Sequence, residues 1–236
     1  MISGLVQELR RLKGVVYHQG ADAPLFTRFQ TELGLILPPE HKELLRSSNG
    51  IEASDGYVRL FGLYTAEAID AVLWNNHDFW KFAWGDRCSP YWCFGETAWG
   101  DQYAYAVESL QEGRDNPVFF MDALSMTPEV IAPSFAEFLQ KEFLRSAKDP
   151  YDAMIKLAHK KFGPLEIAAH LVYVPSVLLS GTEDVANVQK MNARSAMICN
   201  GDVAVQLIAG PPNGSVKGVQ PYEDEQHRMR LRLVWA

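Results

Sequence analysis

Glu96 and Asp101 bracket the short segment Gly95-Glu96-Thr97-Ala98-Trp99-Gly100-Asp101. As a site, two neighbouring carboxylates would bind a cation or a basic side chain. As a turn, the same segment needs glycine freedom and an aspartate bonded to its own backbone. That structural reading is the stronger, and no Asp-x-Asp-x-Asp-Gly loop points to calcium. Cys88 and Cys93 lie five apart with His77 the nearest histidine, but no second cysteine pair supplies the four organised ligands that zinc requires. A Cys93–His77 nucleophilic pair is a weak reading in a chain with three cysteines and six histidines. Phosphate-cradling glycine loops are absent. The expectation is therefore no catalytic residue, no metal and no cofactor.

Five of the six tryptophans, Trp74, Trp80, Trp84, Trp92 and Trp99, fall within 26 residues. Taken singly, each reads as core, because a large aromatic buries much area. Residues 75–86, however, alternate aromatics with polar and acidic groups, which is the anatomy of a protein-binding hot spot. On that reading Trp80, Trp84 and Trp99 are the anchors. Asp78, Asp86, Glu96 and Asp101 form the rim, and replacing Trp84 or Asp86 with alanine weakens binding without unfolding the chain.

Charge points the same way. The 236-residue chain has a net charge of -7, and residues 51–140 carry 14 acids against four bases, a net of -10. An acidic surface repels nucleic acid and steers basic partners inward, although solubility alone explains such a balance. Arg228, Arg230 and Arg232 alternate on a terminal strand beside Glu223, Asp224 and Glu225, which reads as cross-strand ion pairing. The N-terminus lacks a secretory pattern, no stretch is apolar enough to span a bilayer, and three unmatched cysteines suit a reducing compartment. A cytoplasmic protein without membrane or small-molecule ligand is expected.

The elements that hold these groups follow from periodicity. Helices are predicted over residues 4–13, 24–34, with Gly34 as stop, and from Pro38–Pro39 to an Asn49-Gly50 exit. A strand over 57–64 and a helix over 65–74 follow, then strands over 91–94, 102–108 and 117–121. Ser134 caps a helix over 135–143. Residues 146–150 read as a boundary. Beyond it come a helix over 152–162, a strand over 171–174, a helix over 184–200 capped by Gly201, a strand over 203–208, a loop over 210–214 and a strand over 229–235.

This order resembles the SUKH superfamily of bacterial toxin-immunity and related interaction domains over about residues 20–142. The likeness is carried by Leu37, Pro38, Leu44, Leu45, Asn49 and Gly50, then Gly95, Gly100, Asp101, Tyr103 and Tyr105, then Ser134, Phe135, Phe138 and Leu139. Phe162–Leu165 and Tyr173–Gly181 are similar to the C-terminal domain of type VI secretion immunity proteins against DNase toxins, with Ser180 where that family tends to glycine. The resemblance implies an α+β fold: a mixed or antiparallel sheet flanked by helices in residues 1–146, then a smaller α+β lobe in 150–236. It implies a non-enzymatic immunity protein that neutralises a basic cognate toxin, such as a nuclease. A scaffold or regulator of the same fold is the alternative, and a hydrolase built on Cys93 or on Glu96 and Asp101 the third.

Overall fold

The computed structural model describes residues 2–114, 116–149, 152–212 and 214–236. Pro150 of the expected boundary and Asn213 of the expected 210–214 loop lie outside the described residues. Helix α1 (Ile2–Leu9) buries Ile2, Leu5, Val6 and Leu9 on one face, and a two-residue strand β1 (Val16–Tyr17) follows. In α2 (Ala23–Leu33) the Asp22 carboxylate accepts from the Leu25 amide, and Gly34 closes the helix at φ 66°. Helix α3 (Pro39–Ser47) ends earlier than the Asn49-Gly50 pair suggested, at an extended Ser48. Asn49 instead spends its amide on the backbone of Leu63, donating at 2.9 Å and accepting at 2.8 Å.

Strands β2 (Ile51–Ala53), β3 (Val58–Leu60), β4 (Tyr91–Thr97), β5 (Gln102–Ala106), β6 (Val118–Met121) and β7 (Pro128–Ala132) join β1 in a seven-stranded sheet in chain order. Every neighbouring pair is antiparallel. Helix α4 is confined to Ala71–Trp74, because Asp70 takes the cap position and accepts from Leu73; residues 65–70 are irregular rather than helical. A 3-10 segment, Lys81–Arg87, leads into β4. Strand β5 stops at Ala106 and gives way to α5 (Val107–Glu112), where a longer strand was expected. Ser134 caps α6 (Phe135–Phe138) by accepting from Glu137. That helix runs on through a wider turn, Leu139–Phe143, into α7 (Leu144–Lys148).

After residue 152 come α8 (Ala153–Phe162), β8 (Ala169–Tyr173), β9 (Val188–Asn192), α9 (Ala193–Ala209), β10 (Val216–Glu223) and β11 (Met229–Trp235). Strands β8 and β9 pair, as do β10 and β11, each in a separate two-stranded antiparallel sheet. The expected helix over 184–200 and strand over 203–208 are replaced by β9 and a single long α9. Gly201 does not end that helix. A Cβ there would stand 2.8 Å from the Trp84 indole nitrogen and 2.9 Å from the Ala83 carbonyl, so glycine is required for close approach rather than for a turn.

Apolar side chains from both sides of residue 150 share one interior, in which Ala193, Met197, Ile198 and Ala204 of α9 join the core of the large sheet. A smaller cluster packs Tyr57 and Ala98 against Ile155, Ala158, Leu165, Ala169, Leu171 and Val188. Among the described residues no helix is long and apolar enough to cross a membrane.

Candidate functional site

The turn between β4 and β5 is held by its own side chains. Thr97 Oγ1 donates to Asp101 Oδ2 at 2.6 Å, and the Gly100 amide donates to the Thr97 carbonyl at 3.0 Å. Gly100 has φ 88°, and a Cβ there would lie 2.8 Å from His170 Nδ1, so both conformation and space demand glycine. The turn pushes Trp99 outward, where its ring stacks on Tyr173 of β8 at 4.9 Å and 12°. The Trp99 indole N–H donates to Asp152 Oδ2 at 2.7 Å, while Asp152 Oδ1 accepts from Met154 at the start of α8.

These contacts form one wall of a cleft of about 400 Å³ between the large sheet and the C-terminal elements. Asp101, Asp122, Asp152 and Glu183 all line it, together with Met154, Val177 and Asn200. Asp122 and Glu183 are exposed, whereas Asp101 is half-buried. Burial raises the Asp101 carboxyl above the ordinary carboxylate range, opposed by the hydrogen bonds from Thr97 and the Ala123 amide. Trp99, Asp101 and Asp152 also border a smaller pocket of about 170 Å³, which Tyr57 and Tyr103 line as well.

Beneath the turn lies a buried polar cluster. Glu96 Oε1 lies 3.4 Å from Arg59 Nη1, and Glu96 Oε2 receives His170 Nε2 at 3.0 Å. Gln102 Nε2 approaches the same oxygen at 3.4 Å, and Gln102 Oε1 accepts from Trp74 Nε1 at 2.6 Å. Arg59 also donates to the carbonyls of Gly56, at 2.8 Å, and Ile167. Breaking such a pair inside a protein costs more than forming it gains, since one charge is left without solvent.

Of the residues singled out from the sequence, Trp99 and Asp101 line the cleft, and Asp78 and Asp86 are exposed elsewhere. Trp80, Trp84 and Glu96 have relative exposures of 0%, 1% and 0%, so their side chains are not surface anchors or rim. Trp84 donates to the Met197 carbonyl of α9 at 2.9 Å. Nearby, Arg194 donates to Phe79 O, and Arg228 and Arg230 stand over the Phe82 ring. The aromatic segment 79–84 does grip polypeptide, but the polypeptide is the chain's own C-terminal part. Arg228 pairs with Asp224 at 2.8 Å, whereas Arg230 turns to Asp202 of α9 as well as Asp224, and Arg232 lies over the Tyr222 ring at 4.6 Å. Asp122, Asp152, Tyr173 and Glu183 were not singled out; they enter the cleft only through tertiary packing. Cys93 is fully buried, and burial raises its thiol pKa, while His77 is exposed. Among the described residues no cluster of His, Cys, Asp or Glu is arranged to hold a metal ion.

The seven-stranded antiparallel meander with its N-terminal helices and capped α6 defines a SUKH-type α+β domain. The family model described as SMI1 / KNR4 family (SUKH-1) matches residues 20–141, just over half of the chain, and the chain belongs to that family. The fold recurs over 95% of both chains in the crystal structure of Atu4351 from Agrobacterium tumefaciens, with 13% identity and a TM-score of 0.54. No curated protein sequence matches the chain.

Proposed function

We propose that this chain is a non-enzymatic immunity protein of the bacterial cytoplasm, which neutralises a basic toxin by seating its cationic side chains in the acidic cleft. The carrying observation is the convergence of the stacked Trp99 and Tyr173 rings with the carboxylates of Asp101, Asp122, Asp152 and Glu183 around one open space. A lysine or arginine entering it would meet carboxylates suited to charge-assisted hydrogen bonds and aromatic faces suited to cations. The surplus of ten acids over bases in residues 51–140 would speed capture of a positively charged partner.

Membership of the SUKH-1 family supports a protein as partner. The resemblance read from the sequence in Phe162–Leu165 and Tyr173–Gly181, to immunity proteins of type VI secretion, is the ground for naming a DNase and a setting of contact-dependent competition. In this reading residues 1–146 are the SUKH-like lobe, 150–236 the C-terminal lobe, and the cleft between them the principal contact. Asp78 and Asp86 are outlying contacts. Co-expression with the product of the adjacent gene, followed by pull-down and growth rescue, tests it: a complex that restores growth supports the reading. Without complex or rescue, the reading gives way to a scaffold of the same fold.

A further inference from the structure

We propose that the buried cluster of Arg59, Glu96 and His170 is the positioning device of the cleft, fixing the Trp99 turn against the strand that carries Tyr173. The proposal rests on the cleft being the binding site; its tests do not involve the partner. Glu96 lies in β4 and Gln102 opens β5, so the cluster holds both legs of the turn that bears Trp99 and Asp101. His170 lies in β8, three positions before Tyr173. The hydrogen bond between His170 Nε2 and Glu96 Oε2, at 3.0 Å, joins strand to turn. A backbone bond from the Leu171 amide to the Ala98 carbonyl, at 2.7 Å, runs beside it.

The three side chains have relative exposures of 1%, 0% and 0%. Drawing β8 away from the turn would strip Glu96 of His170 and Arg59 of the Ile167 carbonyl in an apolar interior, leaving Arg59 only the Gly56 carbonyl. The two walls of the cleft therefore move together or not at all. Arg59 Nε, Glu96 Oε1 and His170 Nδ1 have no hydrogen-bond partner among the described residues. The cluster's geometry suits a clamp: the two oxygens of one carboxyl group face Arg59 Nη1 and His170 Nε2, which come from different parts of the chain. Gly100 belongs to the same device, since any Cβ there would press on the His170 ring.

Native-state hydrogen exchange of the full chain across a urea series is the first test. The amides of Ala98, Gly100, Leu171 and Tyr173 are expected to merge onto one opening isotherm; separate isotherms for turn and strand would overturn the proposal. The second test follows the Trp99 indole N–H resonance, assigned with Trp99→Phe. Glu96→Gln and Gly100→Ala are expected to shift it, while a destabilising Leu9→Ala in α1, which lines no part of the cleft, leaves it in place. An unmoved resonance in a folded Glu96→Gln or Gly100→Ala protein contradicts the clamp. If neither variant folds, the exchange result on the unmodified chain decides alone. Failure of growth rescue, by contrast, would fall on the functional reading and not on the clamp.

Discussion

The Trp84 indole N–H donates to the carbonyl of Met197, 113 positions away, and the ring occupies the space that Gly201 leaves on α9. An aromatic segment that looks like a binding face is thereby an internal dock. Replacing Trp84 with alanine is expected to remove about 3–5 kcal/mol of stability, the usual range for a buried tryptophan. Gly201→Ala would gain up to about 1 kcal/mol of helix propensity, yet its methyl collides with the indole and with the Ala83 carbonyl. Net destabilisation is expected. Urea denaturation of both variants checks this; a Trp84→Ala protein of native stability would remove the dock from the account.

Buried His41 sets an acid limit on stability. Its ring stacks on Phe135 at 4.3 Å, Nδ1 lies 3.2 Å from the Tyr105 hydroxyl, and burial holds its pKa down at about 3. The unfolded chain takes up this proton near pH 6.5 and the folded chain does not, so the unfolded state binds more protons between those values. Stability therefore falls as pH falls through that window, by about 1.4 kcal/mol per pH unit for the one proton. Denaturation midpoints at pH 7, 6 and 5 should show the slope. His41→Gln, less stable at pH 7, should lose that component.

Asp101 acts with the opposite sign. Its raised pKa means that the folded chain holds the proton more tightly than the unfolded one, so this group's contribution becomes less favourable as pH rises through its folded pKa. Asp101→Asn keeps an acceptor for the Ala123 amide and turns its new amide N–H toward the Thr97 hydroxyl oxygen, and it should flatten that part of the stability profile. In binding, the same shift means that affinity for a basic partner begins to fall, on acidification, above the ordinary carboxylate range. Affinity titrations at several pH values should show this first step in the parent and not in Asp101→Asn.

Local chemistry was the most legible part of the fold. Gly34 and Ser134 end or begin helices where conformation or side chain requires, and each could be read from its neighbours alone. Gly201 could not, since nothing within α9 announces that an indole from residue 84 fills the missing methyl. The same distance limit governs the site. Trp99 and Asp101 stood out because an aromatic and an acid share a glycine-closed turn. Asp152, Tyr173 and Glu183 lie far along the chain and meet that turn only when β8 docks on Ala98. Trp80 and Trp84 misled because alternating polar neighbours, in a 3-10 segment and the turn before it, do not report which side is covered.

The most direct test is the affinity for the product of the adjacent gene, measured with the parent chain and with Asp122→Asn plus Glu183→Gln. Both changes preserve shape, and both sites are exposed. A nanomolar-class complex that rescues growth is expected, with affinity falling about tenfold or more in the double variant and more steeply with salt in the parent. Equal affinity in the two proteins, with the same salt dependence, would contradict the acidic cleft as the binding site.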